Sequence, residues 1–225
     1  HEFTGPKARE FLDYILAGNI PKPGRIILTP MLTFKGKLYG DLTVACLKEN
    51  KFMLFGSGAA QEMHRRWFEK FLPKNGVIYK NRSNDFHGIA ISGPNSRNLL
   101  SKICREDVSN KALKFRDTRE TFVGGVPVIL NRISFSGELA YEVNVESDNG
   151  NFMWEKIIEI GKEFNIQPYG TEALSTLRIE MGHVAGSELD GRTIPYDNSL
   201  EGLVSKKKDF IGKRSLNKKA YIESD

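Results

Sequence analysis

The sequence predicts an α+β fold: mixed or antiparallel sheets with flanking helices, built as a pseudo-symmetric domain. Strand-like and helix-like segments interleave without a regular β-α-β rhythm. A strand-to-helix pattern recurs at a constant offset of 88 residues, and no low-complexity stretch divides the 225 residues. With 40% hydrophobic residues the chain can bury a core as one large domain or two small ones.

The first helix is announced by Thr4 as a cap, Pro6 in the first turn and an apolar stripe of Phe11, Leu12, Ile15 and Leu16, with Gly18 as its stop. Ser92-Gly93-Pro94 followed by Arg97, Leu99, Leu100 and Ile103 repeats Thr4-Gly5-Pro6, Arg9, Phe11, Leu12 and Ile15. Two such units imply a site between the halves of one domain. Strands are expected at 25–28, 38–47 and 52–55, then a helix over 59–71 with Met63, Trp67, Phe68 and Phe71 on one side. After the second unit, segments 120–123, 126–134 and 140–145 alternate as strands around the Gly124-Gly125 and Ser136-Gly137 turns. Helices over 152–164 and 171–181 follow.

Charge narrows the classes of function. The net charge of +5 is concentrated in the last twenty residues, where seven basic side chains (Lys206, Lys207, Lys208, Lys213, Arg214, Lys218, Lys219) face three acidic ones (Asp209, Glu223, Asp225). The remaining body is nearly neutral, which argues against a phosphate-tracking groove and hence against nucleic acid as a partner. The basic segment can still attract a polyanionic small molecule. No window reaches the roughly 20 apolar residues of a membrane span, so no membrane partner is expected. Cys46 and Cys104 stand in apolar surroundings, as thiols of a reducing, cytoplasmic compartment, and the four histidines lack metal-ligand spacing.

Eight segments, in order and nearly end to end, carry a resemblance. They are Phe3-Thr4-Gly5-Pro6, Pro21-Lys22-Pro23-Gly24-Arg25-Ile26, Leu28-Thr29-Pro30-Met31-Leu32, Gly40-Asp41-Leu42-Thr43-Val44, Ser92-Gly93-Pro94, the run Arg132 to Leu139, Leu177-Arg178-Ile179-Glu180 and Asp209-Phe210-Ile211-Gly212-Lys213. Together they resemble the folate-binding aminomethyltransferase family of the glycine-cleavage T-protein. The segment from Leu28 to Val44 and the Lys-Asp-Phe-Ile-Gly-Lys ending look most like the C-terminal module of dimethylglycine and sarcosine dehydrogenases. Leu174 stands where the T-protein branch has an arginine. By this resemblance residues 1–205 form the folate-binding domain, and 206–225 form a basic segment leading to a further β domain, so that the chain looks truncated at both ends.

The resemblance implies tetrahydrofolate as cofactor and a flavin oxidase domain, in cis or in trans, as partner. The implied reaction moves a one-carbon unit from an iminium derived from dimethylglycine or sarcosine to tetrahydrofolate, giving methylenetetrahydrofolate. It places Asp41 beside the reacting centre, where a fixed carboxylate stabilises developing positive charge and accepts a proton. Glu142 falls where the family holds the pterin ring. A carboxylate offers two acceptors to the ring's adjacent amino and N–H donors. Strand alternation puts Glu138, Ala140 and Glu142 on one face, leaving room for a flat ring beside small Ala140. Phe135 replaces a family tyrosine and can stack on the folate or simply fill a core. Leu42 and Thr43 are expected to line the same wall as Asp41, with Ser57 of Gly56-Ser57-Gly58 as a weaker candidate. Arg178 and Glu180 read as an ion pair or a helix-end contact. Two alternatives stay open: a non-catalytic folate-binding scaffold or sensor, and a folate-dependent demethylase of another methyl donor such as a sulfonium compound.

Overall fold

The computed structural model describes residues 1–218, so Lys219, Glu223 and Asp225 of the basic segment lie outside the described residues. The chain divides into two compact units. The first comprises His1–Pro23, Ile27–Ser83 and the chain from Val184 onward; the second comprises Gly24–Ile26 and Asn84–His183.

The first unit carries strands β1 (Glu2–Thr4), all but the first two residues of β2 (Arg25–Leu32), β3 (Leu38–Lys48), β4 (Lys51–Phe55) and β5 (Ile78–Lys80), in the sheet order β2-β3-β4-β1-β5. Helices α1 (Ala8–Ile15) and α2 (Gln61–Phe71) accompany the sheet. Alternation along β3 buries Leu38, Gly40, Leu42 and Val44, while Tyr39, Asp41 and Thr43 keep some exposure on the other face. The apolar stripe of α1 (Phe11, Leu12 and Ile15) joins Phe3, Phe52 and Phe68 in the core. Phe3 stacks on Tyr79 with ring centroids 4.9 Å apart. Pro30 lies in β2, an edge strand, where a missing N–H is tolerated.

The second unit carries β6 (Phe86–Ser92), β7 (Thr118–Val123), β8 (Val126–Asn131) and β9 (Ala140–Glu146), with helices α3 (Ser96–Ile103), α4 (Gly150–Gly161) and α5 (Thr171–Glu180). Its sheet runs β6-β9-β8-β7, every neighbouring pair antiparallel. Val128, Leu130, Tyr141, Val143 and Val145 turn to a core shared with Leu99, Leu100, Met153 and Ile157. A short helix, α6 (Lys213–Leu216), follows in the first unit. The antiparallel sheets with flanking helices are those the sequence predicts.

The repeat is present in backbone detail. Helices α1 and α3 begin and end 88 residues apart. Each follows a strand through a glycine at nearly the same φ, +114° at Gly5 and +116° at Gly93, a region that glycine enters without Cβ strain. The glycine carbonyl accepts the amide of Ala8 in one unit (3.0 Å) and of Ser96 in the other (3.1 Å). This turn corrects the expected cap. Thr4 ends β1, opposite Lys51 and Ile78, and α1 starts at Ala8 after Lys7 without a side-chain cap. The helix also ends before Gly18, at Ile15, because Leu16 is already extended. Strand β8 stops at Asn131 and not at residue 134, since residues 132–139 form the loop that carries Phe135.

Candidate functional site

Asp41 sits near the start of β3, on the face opposite the core. Burial pushes its carboxyl up to about 6, opposed only by a hydrogen bond with its own backbone. Thr43 shares that face and pairs with Phe55 of β4. Leu42 does not. It is fully buried in the core of the first unit, because side chains alternate along a strand, and this corrects the expectation that it lines the wall of Asp41. Ser57 is exposed just beyond the end of β4 and precedes a short 3₁₀ turn, 58–60.

His64, which the sequence marked for no role, is wedged against the backbone on either side of these residues. A Cβ on Gly40 would lie 2.5 Å from its Nε2, and one on Gly56 would lie 3.1 Å from its Nδ1. The ring is 1% exposed, and neither nitrogen has a hydrogen-bond partner. Burial lowers its pKa to about 4, so the imidazole is neutral at physiological pH.

In the second unit Glu142 lies on the face of β9 opposite the core, as alternation predicts; Tyr141 and Val143 point into the core. Ladder register assembles one row across all four strands. Thr118 of β7 faces Asn131 of β8, Asn131 faces Glu142 of β9, and Glu142 faces Ala90 of β6. The next row along β6 begins with Gly88, opposite Asn144. Glu142 is thus flanked by Ala90, Gly88 and Ala140, small residues that leave its side of the sheet low. Burial pushes its carboxyl up to about 7, and the Asn131 side chain pulls it partly back. Asn131 is fully buried; Thr118 Oγ1 donates to its Oδ1 at 2.6 Å, while its Nδ2 reaches no acceptor within hydrogen-bond geometry.

Phe135 is 40% exposed and stacks on His183, centroids 5.5 Å apart and planes within 10°. It is therefore not a core aromatic. His183 is held by the end of α5: its amide donates to the Arg178 carbonyl, and Arg178 Nη1 donates to the His183 carbonyl, each at 2.9 Å. Arg178 is thus the helix-end contact foreseen from the Leu-Arg-Ile-Glu motif. This histidine covers one face of the Phe135 ring.

The sequence singled out both carboxylates and the exposed aromatic, but not Asn131, His183 and His64, which the structure places beside them. Asn131 ends the apolar run Val-Ile-Leu-Asn, a signal that acquires meaning only once strand pairing sets it across from Glu142. Asp41, Thr43 and Ser57 belong to the first unit, whereas Glu142, Asn131, Phe135 and His183 belong to the second. Among the described residues no helix is long and apolar enough to cross a membrane.

Residues 1–208 match the family model described as the GCVT N-terminal domain. Sarcosine oxidase subunit alpha of Corynebacterium sp. (strain P-1) is 34% identical over 233 residues, covering 100% of this chain and 24% of that protein. Mitochondrial dimethylglycine dehydrogenase of Mus musculus is 35% identical over 218 residues, covering 94% of this chain and 25% of that protein. The chain thus spans about a quarter of the length of these curated relatives. The crystal structure of the glycine cleavage system aminomethyltransferase T from Bartonella henselae superposes with a TM-score of 0.82 at 24% identity, covering 99% of this chain and 59% of that one, a likeness of fold. The chain belongs to the GCVT N-terminal domain family, the aminomethyltransferase family of the glycine-cleavage T-protein.

Proposed function

We propose that this chain binds tetrahydrofolate and serves transfer of a one-carbon unit to it from a donor derived from a methylated amine of the dimethylglycine or sarcosine type. The observation that carries the reading is the row Thr118, Asn131, Glu142 and Ala90. It supplies a half-buried carboxyl beside small residues, with the Asn131 amide across the ladder from it. A pterin edge presents two adjacent N–H donors next to a carbonyl acceptor. That pattern complements a two-acceptor carboxylate with a neighbouring N–H donor. The exposed Phe135 ring offers a stacking surface for the same ligand class.

Tetrahydrofolate supplies the nucleophilic nitrogens that take up the one-carbon unit. The rest falls to the chain. Glu142 in its ionised form accepts the paired N–H donors and fixes the ring, and Asp41 stabilises positive charge on the donor. With a pKa near 6, Asp41 is ionised at neutral pH yet basic enough to take up the proton released on bond formation. The names of the relatives, a sarcosine oxidase subunit and a dimethylglycine dehydrogenase, support an oxidising flavin domain, in cis or in trans, as the source of the donor.

Calorimetric titration of tetrahydrofolate into the full chain tests the first step. Saturable binding that weakens about 100-fold in Glu142→Ala is expected, equivalent to about 2.7 kcal/mol. Absence of binding to the unmodified chain would sink the reading. With an oxidase domain supplying donor, Asp41→Asn should keep the affinity and lose product formation. Product formation at the normal rate would reduce the chain to a binding module.

A further inference from the structure

Asn131 is a costly residue to keep where it lies. It is fully buried, its Nδ2 has no partner, and an unsatisfied buried amide destabilises a fold relative to an apolar side chain of similar size. Its orientation is nevertheless determined. Thr118 on β7 donates to Oδ1 at 2.6 Å, which ties the carbonyl end of the amide to one neighbouring strand. The two N–H groups must then turn toward the other neighbour, β9, where register sets Glu142 directly opposite. A free amide can present either end to a carboxyl; this one cannot.

We propose that Asn131 is the positioning residue for Glu142: clamped by Thr118, it directs its amide N–H groups at the carboxyl and holds it as the two-acceptor anion that a ligand's paired N–H donors require. The proposal rests on the folate reading for its ligand, but the Thr118-Asn131-Glu142 relay is a property of the free protein. Donors stabilise the charged form of a carboxyl and burial disfavours it. Burial and Asn131 are the two influences that act on Glu142. No charged side chain from β6, β8 or its own strand enters the balance, so the amide alone opposes burial. Ala90 on β6 and Ala140 on β9 can contribute no polar contact from their side chains.

The test is a carbon-13 NMR titration of the Glu142 carboxyl in the free chain, with tetrahydrofolate affinity followed over the same pH range. Asn131→Leu, which keeps the volume, and Thr118→Val, which keeps Asn131 but removes its clamp, should both raise the Glu142 midpoint by about one unit. Tetrahydrofolate affinity should then fall about tenfold at pH 6 and converge on the unmodified value above pH 9. Thr118→Ser, which restores the hydroxyl, should restore both. A midpoint unmoved in Thr118→Val, or affinity lost equally at every pH, overturns the proposal. Should Asn131→Leu fail to fold, the two Thr118 variants decide alone. A shifted midpoint in a chain that binds no tetrahydrofolate would uphold the relay and defeat the folate reading, so the two failures are distinguishable.

Discussion

Replacing Glu142 by Gln should make the protein more stable and less able to bind its ligand, and the gain should depend on pH in a way fixed by the structure. Burial moves this carboxyl from 4.5 to about 7. A raised carboxyl pKa means that the folded state holds the proton over a range where the unfolded chain has released it. Its contribution to stability is therefore present at low pH and is lost as pH climbs from about 4.5 through about 7. At about 1.4 kcal/mol per pKa unit, the penalty grows from under about 1 kcal/mol at pH 5 to about 3 kcal/mol at pH 8.5. Gln keeps the shape and carries no charge, so urea unfolding should show the variant ahead by roughly that difference at pH 8.5 and nearly level at pH 5. The same variant should bind tetrahydrofolate at least about tenfold more weakly, because an amide offers one acceptor where a carboxylate offers two. An advantage that is equal at both pH values, or a variant less stable at pH 8.5, would refute the assignment of a buried, strained charge to this position.

The other predictions probe the same logic elsewhere. His64→Leu should stabilise the protein by about 2 kcal/mol at pH 5 and by much less at pH 8, read by thermal melting at both values. The buried imidazole stays neutral down to about 4 while the unfolded chain takes up a proton near 6.5, so its stability is lost as pH falls through that window. Gly5→Ala should cost more than Gly93→Ala in denaturant unfolding, although both glycines share the same φ. A Cβ on Gly5 would lie 2.5 Å from the Gly76 carbonyl oxygen, whereas none of the surrounding atoms comes within 4 Å of one on Gly93; equal costs would contradict the packing described. His183→Ala should weaken tetrahydrofolate binding about threefold to tenfold by releasing the Phe135 ring, with His183→Phe recovering it, since an aromatic stack contributes on the order of 0.5 to 1.5 kcal/mol. Equal affinity in all three proteins would show that the stack plays no part.

The elements that the sequence made legible are those whose side chains alternate or recur locally. The β3 pattern of Leu38, Leu42 and Val44 against Asp41 and Thr43 is readable with no partner strand in view, and so is the stripe of α1. Strands β1 and β5 are three residues each and owe their existence to pairing with β4 and with one another, which no local window contains. The same limit applied to the site. Asp41, Glu142 and Phe135 were singled out because a motif surrounds each. Asn131 and His183 lie beside residues 11 and 48 positions away along the chain, joined to them by a ladder register and by a ring stack. Leu42 shows the reverse error, since a motif groups neighbours that a strand then separates onto opposite faces.

A protein shaped by stability alone would satisfy or discard its buried polar groups. This chain holds Asn131 with an idle donor, His64 with two idle nitrogens, and two carboxyls raised to about 6 and about 7, each a departure that an apolar residue of similar size would relieve. These four either are, or adjoin, the residues that the family motif singles out. His64 touches the glycines that precede Asp41 and Ser57, and Asn131 stands across the ladder from Glu142. Departures from local consistency beside the residues a family motif singles out support the roles proposed for Asp41 and Glu142. Asn131 is the sharper case: its neighbour Thr118 fixes which end of the amide is turned away from β7, and packing alone requires no such choice.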